Sequence, residues 1–216
     1  NKGVSKVLST KSQIPLALKL IYTAFMCVLV PFYWKTYGPS NFLYFCDVAL
    51  FLTLAGVWTE NRLLISLSAV GILMPQFLWV VDFISGLFGF FPIGMTDYMF
   101  DNNIPLFARG LSLFHGWLPF LLVYLVYKTG YDQRAFKYWT VIAWVLMCIC
   151  YFFMPAPGTV LENINAPVNI NYVFGFSDER PQEWMHPHLY FTLLIVGLPT
   201  LVYYPTSKIL ARFFTR

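Results

Sequence analysis

The chain has 216 residues, of which 58% are hydrophobic and 11% are charged, and its mean hydropathy is +0.63. A soluble protein of this length cannot bury so much apolar surface, whereas a chain surrounded by lipid need not bury it. The net charge of +4 comes from basic residues in loops, so it does not indicate a nucleic-acid-binding protein.

Six apolar runs follow one another along the chain, each with roughly the 17–25 residues that cross about 30 Å of hydrocarbon. They predict an all-α polytopic membrane bundle, with residues 1–216 as a single transmembrane domain. The predicted helices cover about 14–34, 41–58, 63–85, 105–127, 136–154 and 187–207. Prolines inside three of them predict kinks, at Pro75, Pro119 and Pro199. The basic start of the chain lacks a small-residue cleavage site, so we expect the first span to be retained.

The basic residues are distributed unevenly between the two sides that six crossings would define. Eleven fall on one side: Lys2, Lys6, Lys11, Lys19, Arg62, Lys128, Arg134, Lys137, Lys208, Arg212 and Arg216. The other side carries Lys35, Arg109 and Arg180. Because Lys and Arg concentrate in cytoplasmic loops, the pattern predicts that both termini are cytoplasmic.

Two long connections lie on the predicted outer side. Segment 86–104 is aromatic and is interrupted by Pro92 and Gly94, which predicts a re-entrant or interfacial segment. Segment 155–186 is acidic, and its run VNINYVFGF predicts either a short strand or an ordered cap over the helices.

Ionisable residues inside spans are costly and are functional candidates by default. Asp47, Asp82 and His115 qualify, and the alternating helix directions place all three in the outer half. Asp47 is predicted about six residues, or ~9 Å, in from the outer end of its helix. His186 and His188 stand where the outer segment enters the last helix.

Three interpretations of these residues stay open. In a catalytic site, His115 would be the base, Asp47 or Asp82 would orient it, and Ser112, one turn before His115, would be the nucleophile. Alternative nucleophiles are Cys46 and Thr96. Two Asp and three His would also suit zinc, but no spaced ligand motif such as HExxH is present, so no metal site is predicted. In a structural role, Asp82 caps its helix or pairs with Arg109, and His115 donates to a neighbouring helix.

Several stretches resemble a family of bacterial six-span integral membrane proteins, over about residues 36–207. They are YGPSNFLYF (37–45), GMTDYMFD (94–101), RGLSLFH (109–115), GYDQRA (130–135) and VNINYVFG (168–175). The resemblance implies a bacterial inner (plasma) membrane location and supplies no activity. The layout is also remotely similar to the androgen-induced class of membrane hydrolases, which cleave fatty-acid esters of hydroxy fatty acids with a Thr and a His. Of those two residues only His115 has a counterpart here.

The leading functional hypothesis is a polar site facing the outer leaflet that binds or hydrolyses a lipid-like ester. The alternative is a non-catalytic accessory subunit of a larger membrane complex. A transporter or channel is third, because the sequence shows no internal repeat. The predicted partners are membrane lipids and, for an accessory subunit, other membrane proteins. The sequence identifies no cofactor.

Overall fold

The computed structural model describes residues 13–215, and every regular element among them is helical. The α-helices are α1 (Leu16–Tyr37), α2 (Phe45–Thr59), α3 (Arg62–Gly86), α4 (Leu106–Ser112), α5 (Phe114–Thr129), α6 (Arg134–Phe153), α7 (Pro187–Gly197) and α8 (Tyr204–Phe214). A π-helical stretch, Leu198–Tyr203, joins α7 to α8. Lys2, Lys6, Lys11 and Arg216, on which part of the charge prediction depends, lie outside the described residues.

Within the described part, five helical stretches are long and apolar enough to cross a membrane. They are α1, α3, α4 with α5, α6, and α7 through α8. The prediction of an all-helical fold with several helices long and apolar enough to span a membrane is confirmed for the described residues. The second helix differs from its predicted range of 41–58, because α2 has 15 residues and begins at Phe45. Gly38 at φ 85° and Pro39 start a separate 3-10 turn, and the extended backbone of Tyr44 divides that turn from α2.

The two predicted spans that follow the long connections also differ in detail. The span predicted at 105–127 is divided at Leu113 into α4 and α5, and the last span continues to Phe214 rather than ending near 207. Pro199 lies within the π-helical stretch, where wider turns tolerate the missing proline N–H. Pro75 and Pro119 lie inside α3 and α5, which continue through them.

Helix α3 lies at the centre of the bundle. In the most apolar 18-residue window of α3, 61% of the window is buried, whereas in the last span the buried share is 22%. Helix α3 packs against α2, α5 and α6. The contact with α6 depends on Gly71, whose missing side chain leaves room for the fully buried ring of Trp139. A residue with even one more carbon would meet that ring, so Gly71 sets how closely the two helices approach.

The segment between α6 and α7 forms an ordered cap without a strand. Asn169 and Asn171 have φ of 50° and 59°, a left-handed conformation that asparagine tolerates better than most residues. The Asn171 side chain donates to the Leu43 carbonyl at 2.9 Å and accepts from the Phe45 N–H at 3.0 Å. Of the two alternatives for the run VNINYVFGF, the short strand is therefore wrong. Instead, the hydrogen bonds of the Asn171 side chain hold the backbone of this run against the start of α2.

The loop between α5 and α6 contains a titratable contact outside the spanning helices. The Asp132 carboxylate accepts from the backbone N–H of Arg134 at 3.0 Å and from its guanidinium at 2.8 and 3.1 Å. These Arg134 contacts hold the pKa of Asp132 below its usual value. The folded pKa is thus lower than the unfolded one, so the contact stabilises the fold above about pH 4 and is lost as the pH falls further.

Lowering the pH should therefore reduce the stability of the wild-type protein more than the stability of the Asp132→Asn variant. We expect the wild-type melting temperature in detergent to fall between about pH 5 and about pH 3 by more than that of the variant, which cannot lose a charge. Asp101→Asn, at an exposed loop position, is the control and should follow the wild type. Equal acid slopes for wild type and Asp132→Asn would contradict this assignment.

Candidate functional site

Polar side chains from α1, the 3-10 turn before α2, α2 itself, the turn at Asp97–Met99 and α4 meet at one end of the bundle. We call this group the polar cluster: Tyr33, Asn41, Cys46, Asp47, Tyr98 and Ser112. The Tyr33 hydroxyl lies 3.3 Å from Oγ of Ser112 and also interacts electrostatically with the Asp47 carboxylate. Ser112, one of the predicted site residues, is thus within hydrogen-bond distance of Tyr33, whereas Asp47 interacts with this tyrosine only electrostatically.

Asp47 is the most deeply buried member of the cluster, with 2% of its surface exposed. It is the third residue of α2 rather than six residues inside a longer helix. Oδ2 accepts from Asn41 Nδ2 at 3.3 Å and lies 3.8 Å from Sγ of Cys46. Oδ1 has no hydrogen-bond partner among the described residues. An unsatisfied buried acceptor costs about 1–3 kcal/mol, so this oxygen is available for a proton or a donor group.

Tyr98 connects the cluster to α3. Its hydroxyl accepts from Trp79 Nε1 at 3.2 Å and also interacts with the Ser112 side chain. Trp79 in turn stacks on the His115 ring, with 5.5 Å between the ring centroids. The third predicted residue, His115, therefore borders the cluster through an aromatic contact rather than through a hydrogen bond to it.

Asp82 has a different role from the one predicted for a catalytic partner. Its fully buried carboxylate accepts five hydrogen bonds from the segment that follows α3. Oδ1 accepts from the N–H of Ile93 at 2.8 Å and of Gly94 at 3.2 Å. Oδ2 accepts from the N–H of Met95 at 2.8 Å and from the N–H and hydroxyl of Thr96 at 3.0 and 2.9 Å. Asp82 thus holds segment 93–96 against the end of α3, and no lone pair is left for orienting a histidine.

The suggested pairing of Asp82 with Arg109 does not form. Arg109 instead donates to the Met99 carbonyl at 3.1 Å, so it supports the same segment from the other side. Thr96, an alternative nucleophile, is buried with its hydroxyl committed to Asp82. Both residues help to carry Tyr98 into the polar cluster, which makes them positioning residues.

His115 is oriented by backbone. Its Nδ1 lies 2.9 Å from the Ser112 carbonyl, and because a carbonyl can only accept, Nδ1 carries the proton and Nε2 is the basic nitrogen. Within residues 13–215, no hydrogen bond joins Oγ of Ser112 to the histidine ring, and neither aspartate contacts it. The arrangement differs from a catalytic triad, because a backbone carbonyl rather than a carboxylate holds the histidine and the described part contains no hydrogen bond between its ring and the Ser112 hydroxyl.

The two remaining histidines lie at the start of α7. His186 caps that helix by accepting from the His188 N–H at 3.3 Å, and His188 Nδ1 lies 3.0 Å from the Tyr151 hydroxyl. Among the described residues, no group of three His, Cys, Asp or Glu side chains is close enough to hold a metal ion. The zinc interpretation therefore has no ligand set in that part of the chain.

Several residues near the site were not found by the sequence argument. Gln76 is 3% exposed, neither of its amide atoms has a hydrogen-bond partner in the described part, and it lies one turn before Trp79 on the same face of α3. Tyr33 and Tyr98 carry no sequence signal that separates them from the many other aromatic residues of this chain. A signal for Gln76 does exist, since it is a lone amide inside a long apolar run.

Comparison of the chain with protein-family models, with curated proteins and with solved structures gave no match. The resemblances described above stay predictions, and the function has to be argued from the residues of the site.

Proposed function

We propose that the protein is a bacterial inner-membrane protein that crosses the bilayer six times with both termini in the cytoplasm. Its polar cluster, facing the outer leaflet, binds the polar end of a lipid-like molecule. The unequal distribution of basic residues supports this orientation. Helix α2 alone spans about 22 Å, but the preceding 3-10 turn of five residues adds about 10 Å. Turn and helix together match the ~30 Å of hydrocarbon that a sixth crossing requires.

The observation that carries the binding proposal is the unsatisfied Oδ1 of buried Asp47, in the same polar cluster as the hydroxyl pair of Tyr33 and Ser112. This arrangement offers one strong acceptor and two hydroxyl groups that can donate or accept. The ester, hydroxyl or amine at the polar end of a lipid contains the matching groups. Because Ser112, Cys46 and Tyr98 are only partly buried, the cluster is not sealed from its surroundings.

Hydrolysis is a narrower version of the same proposal. Ser112 would be the nucleophile and Nε2 of His115 the base, and the Ser112 hydroxyl would have to exchange its contact with Tyr33 for one with the histidine. Binding needs no such rearrangement, so binding is the function that the geometry supports best.

Purification in a mild detergent followed by mass spectrometry of the bound small molecules tests the proposal. Wild type should retain a defined lipid-like molecule, and Asp47→Asn should lower its amount about tenfold, the size expected when one charged hydrogen bond is lost. Asp97→Asn, an exposed carboxylate near the cluster, should retain it at the wild-type level. If Asp47→Asn retains as much as wild type, the polar cluster is not the binding site. Release of free fatty acid from an added ester, lost in Ser112→Ala, would extend binding to hydrolysis.

A second candidate, an accessory subunit of a membrane complex, is favoured by one separate feature. The cap segment exposes large apolar side chains outside the spanning helices: Val160 is 96% exposed, Ile164 88% and Phe176 80%. Such residues are typical of a surface covered by another protein. In the same purification, a stoichiometric protein partner together with the absence of a bound lipid would favour this alternative.

A further inference from the structure

A second, separate surface combines charge and apolar area at the junction of the cap and α7. A cavity of about 630 Å³ is lined by residues of segment 176–184, among them Arg180 and Glu183, which carry opposite charges. Both side chains are exposed, and neither forms an ion pair with any residue of the described part of the chain. Two opposite charges that line one cavity without neutralising each other are available to a ligand that carries both signs.

Trp184 connects this cavity to an apolar groove. The groove has a volume of about 240 Å³ and runs along α7 and the π-helical stretch, lined by residues that include Leu194, Leu198 and Leu201. Trp184 lines both the cavity and the groove and is 66% exposed. Tryptophan is the residue that most favours the boundary between hydrocarbon and headgroups. In a membrane, such a position of Trp184 would put the charged cavity at the level of the headgroups and the groove at the level of the acyl chains.

Gly197 forms part of the groove wall and explains its depth. A Cβ added at this glycine would meet no atom within 4 Å, so the space in front of it is open. A larger side chain could fill this space without disturbing the helix packing.

We propose that this surface binds a zwitterionic glycerophospholipid. The phosphate contacts Arg180, the headgroup amine contacts Glu183, and one acyl chain lies in the groove beside Gly197. A lipid with an anionic headgroup and no amine would leave Glu183 without a partner and would be repelled by the neighbouring Asp178 and Glu179. Charge complementarity thus selects the headgroup, while the groove selects an acyl chain. The site shares no residue with the polar cluster and does not depend on the function proposed for that cluster.

Titration of the purified, delipidated protein with phosphatidylethanolamine or phosphatidylglycerol of identical acyl chains, followed by native mass spectrometry, tests the proposal. We expect phosphatidylethanolamine to bind about three- to fivefold more tightly, the scale of one partly exposed ionic contact. Arg180→Gln should weaken its binding by a similar factor, and Glu183→Gln should remove the preference over phosphatidylglycerol. Lys35→Gln, which removes an exposed cation elsewhere on the same predicted side, should leave the binding of both lipids unchanged.

The acyl-chain part of the site has its own matched pair of variants. Gly197→Phe fills the groove and should reduce binding of both lipids, whereas Gly110→Phe places the same side chain at another open helical glycine and should not. Equal binding of the two lipids by wild type would overturn the headgroup assignment. Equal behaviour of Gly197→Phe and Gly110→Phe, or a co-purifying protein released only by Gly197→Phe, would overturn the assignment of the groove to an acyl chain.

Discussion

Gly71→Ala is expected to destabilise the bundle by about 3 kcal/mol, at the upper end of the usual cost of overpacking a core. A Cβ at this position would lie within 2.6 Å of three carbon atoms of the Trp139 ring, well inside the van der Waals contact distance. The ring is fully buried and cannot move aside without separating α3 from α6, which pack closely here. Reversible unfolding in mixed detergent and SDS micelles, monitored by tryptophan fluorescence, would measure the loss.

Two further variants separate overpacking from the general effect of replacing a helical glycine. Gly110→Ala adds the same carbon where no atom lies within 4 Å, so it should be neutral or slightly stabilising. The double variant Gly71→Ala with Trp139→Leu makes room for the added carbon and should be less unstable than the sum of its single changes. If Gly71→Ala is as stable as Gly110→Ala, the close approach of α3 and α6 is not what holds the centre of the bundle.

Asp82→Ala is expected to release the segment that follows α3, at a cost of about 3–5 kcal/mol. The substitution removes the acceptor of five hydrogen bonds and leaves their donors on Ile93, Gly94, Met95 and Thr96 unsatisfied. Hydrogen bonds to a charged group contribute about 1.5–3 kcal/mol each, but bonds that share one carboxylate do not add. The four amides should exchange slowly with deuterium in the wild type and rapidly in the variant, as peptide-level mass spectrometry would show.

Two milder substitutions provide the comparison for Asp82→Ala. Asp97→Asn changes an exposed side chain of the same segment and should leave the protection unchanged. Asp82→Asn should be intermediate, because the amide keeps one acceptor but turns its NH₂ group toward two backbone N–H donors. Unaltered protection in Asp82→Ala would mean that this carboxylate does not organise the segment.

Release of this segment should also disturb the polar cluster, because the segment positions Tyr98. Tyr98 follows directly after the residues that Asp82 holds, and its hydroxyl accepts from Trp79. Asp82→Ala should therefore reduce lipid retention together with loop protection, whereas Asp47→Asn should reduce retention alone. This difference distinguishes a positioning residue from one that contacts the ligand.

The long helices were predictable from the sequence because lipid imposes a simple rule. Every backbone polar group in hydrocarbon must be satisfied within its own helix, so a long apolar run without other signals implies a spanning helix. The predicted range 63–85 lies within α3, and the range 136–154 agrees with α6 to within two residues at each end. The second helix was less predictable, because Gly38 and Tyr44 divide one apolar run into a turn and a shorter helix.

The roles of Asp82 and Ser112 were less accessible, because they depend on partners from another part of the chain. Asp82 was a candidate for catalysis or capping, and its acceptor role depends on a loop that turns back 11–14 residues later in the chain. The Ser112 hydroxyl finds its partner in Tyr33, 79 residues away in the chain.

Composition and charge alone establish that this chain is apolar, helical and suited to a membrane, since these properties follow from each residue's own preference for lipid or water. They also identify Asp47, Asp82, Ser112 and His115 as polar groups in costly positions. The tertiary structure is what assigns partners to Asp82 and Ser112, whereas His115 pairs with a carbonyl three residues before it. Among these four residues, Asp47 keeps an unsatisfied oxygen in the described structure. Hydrogen bonds are short and directional, so a role that depends on them follows from how the helices meet.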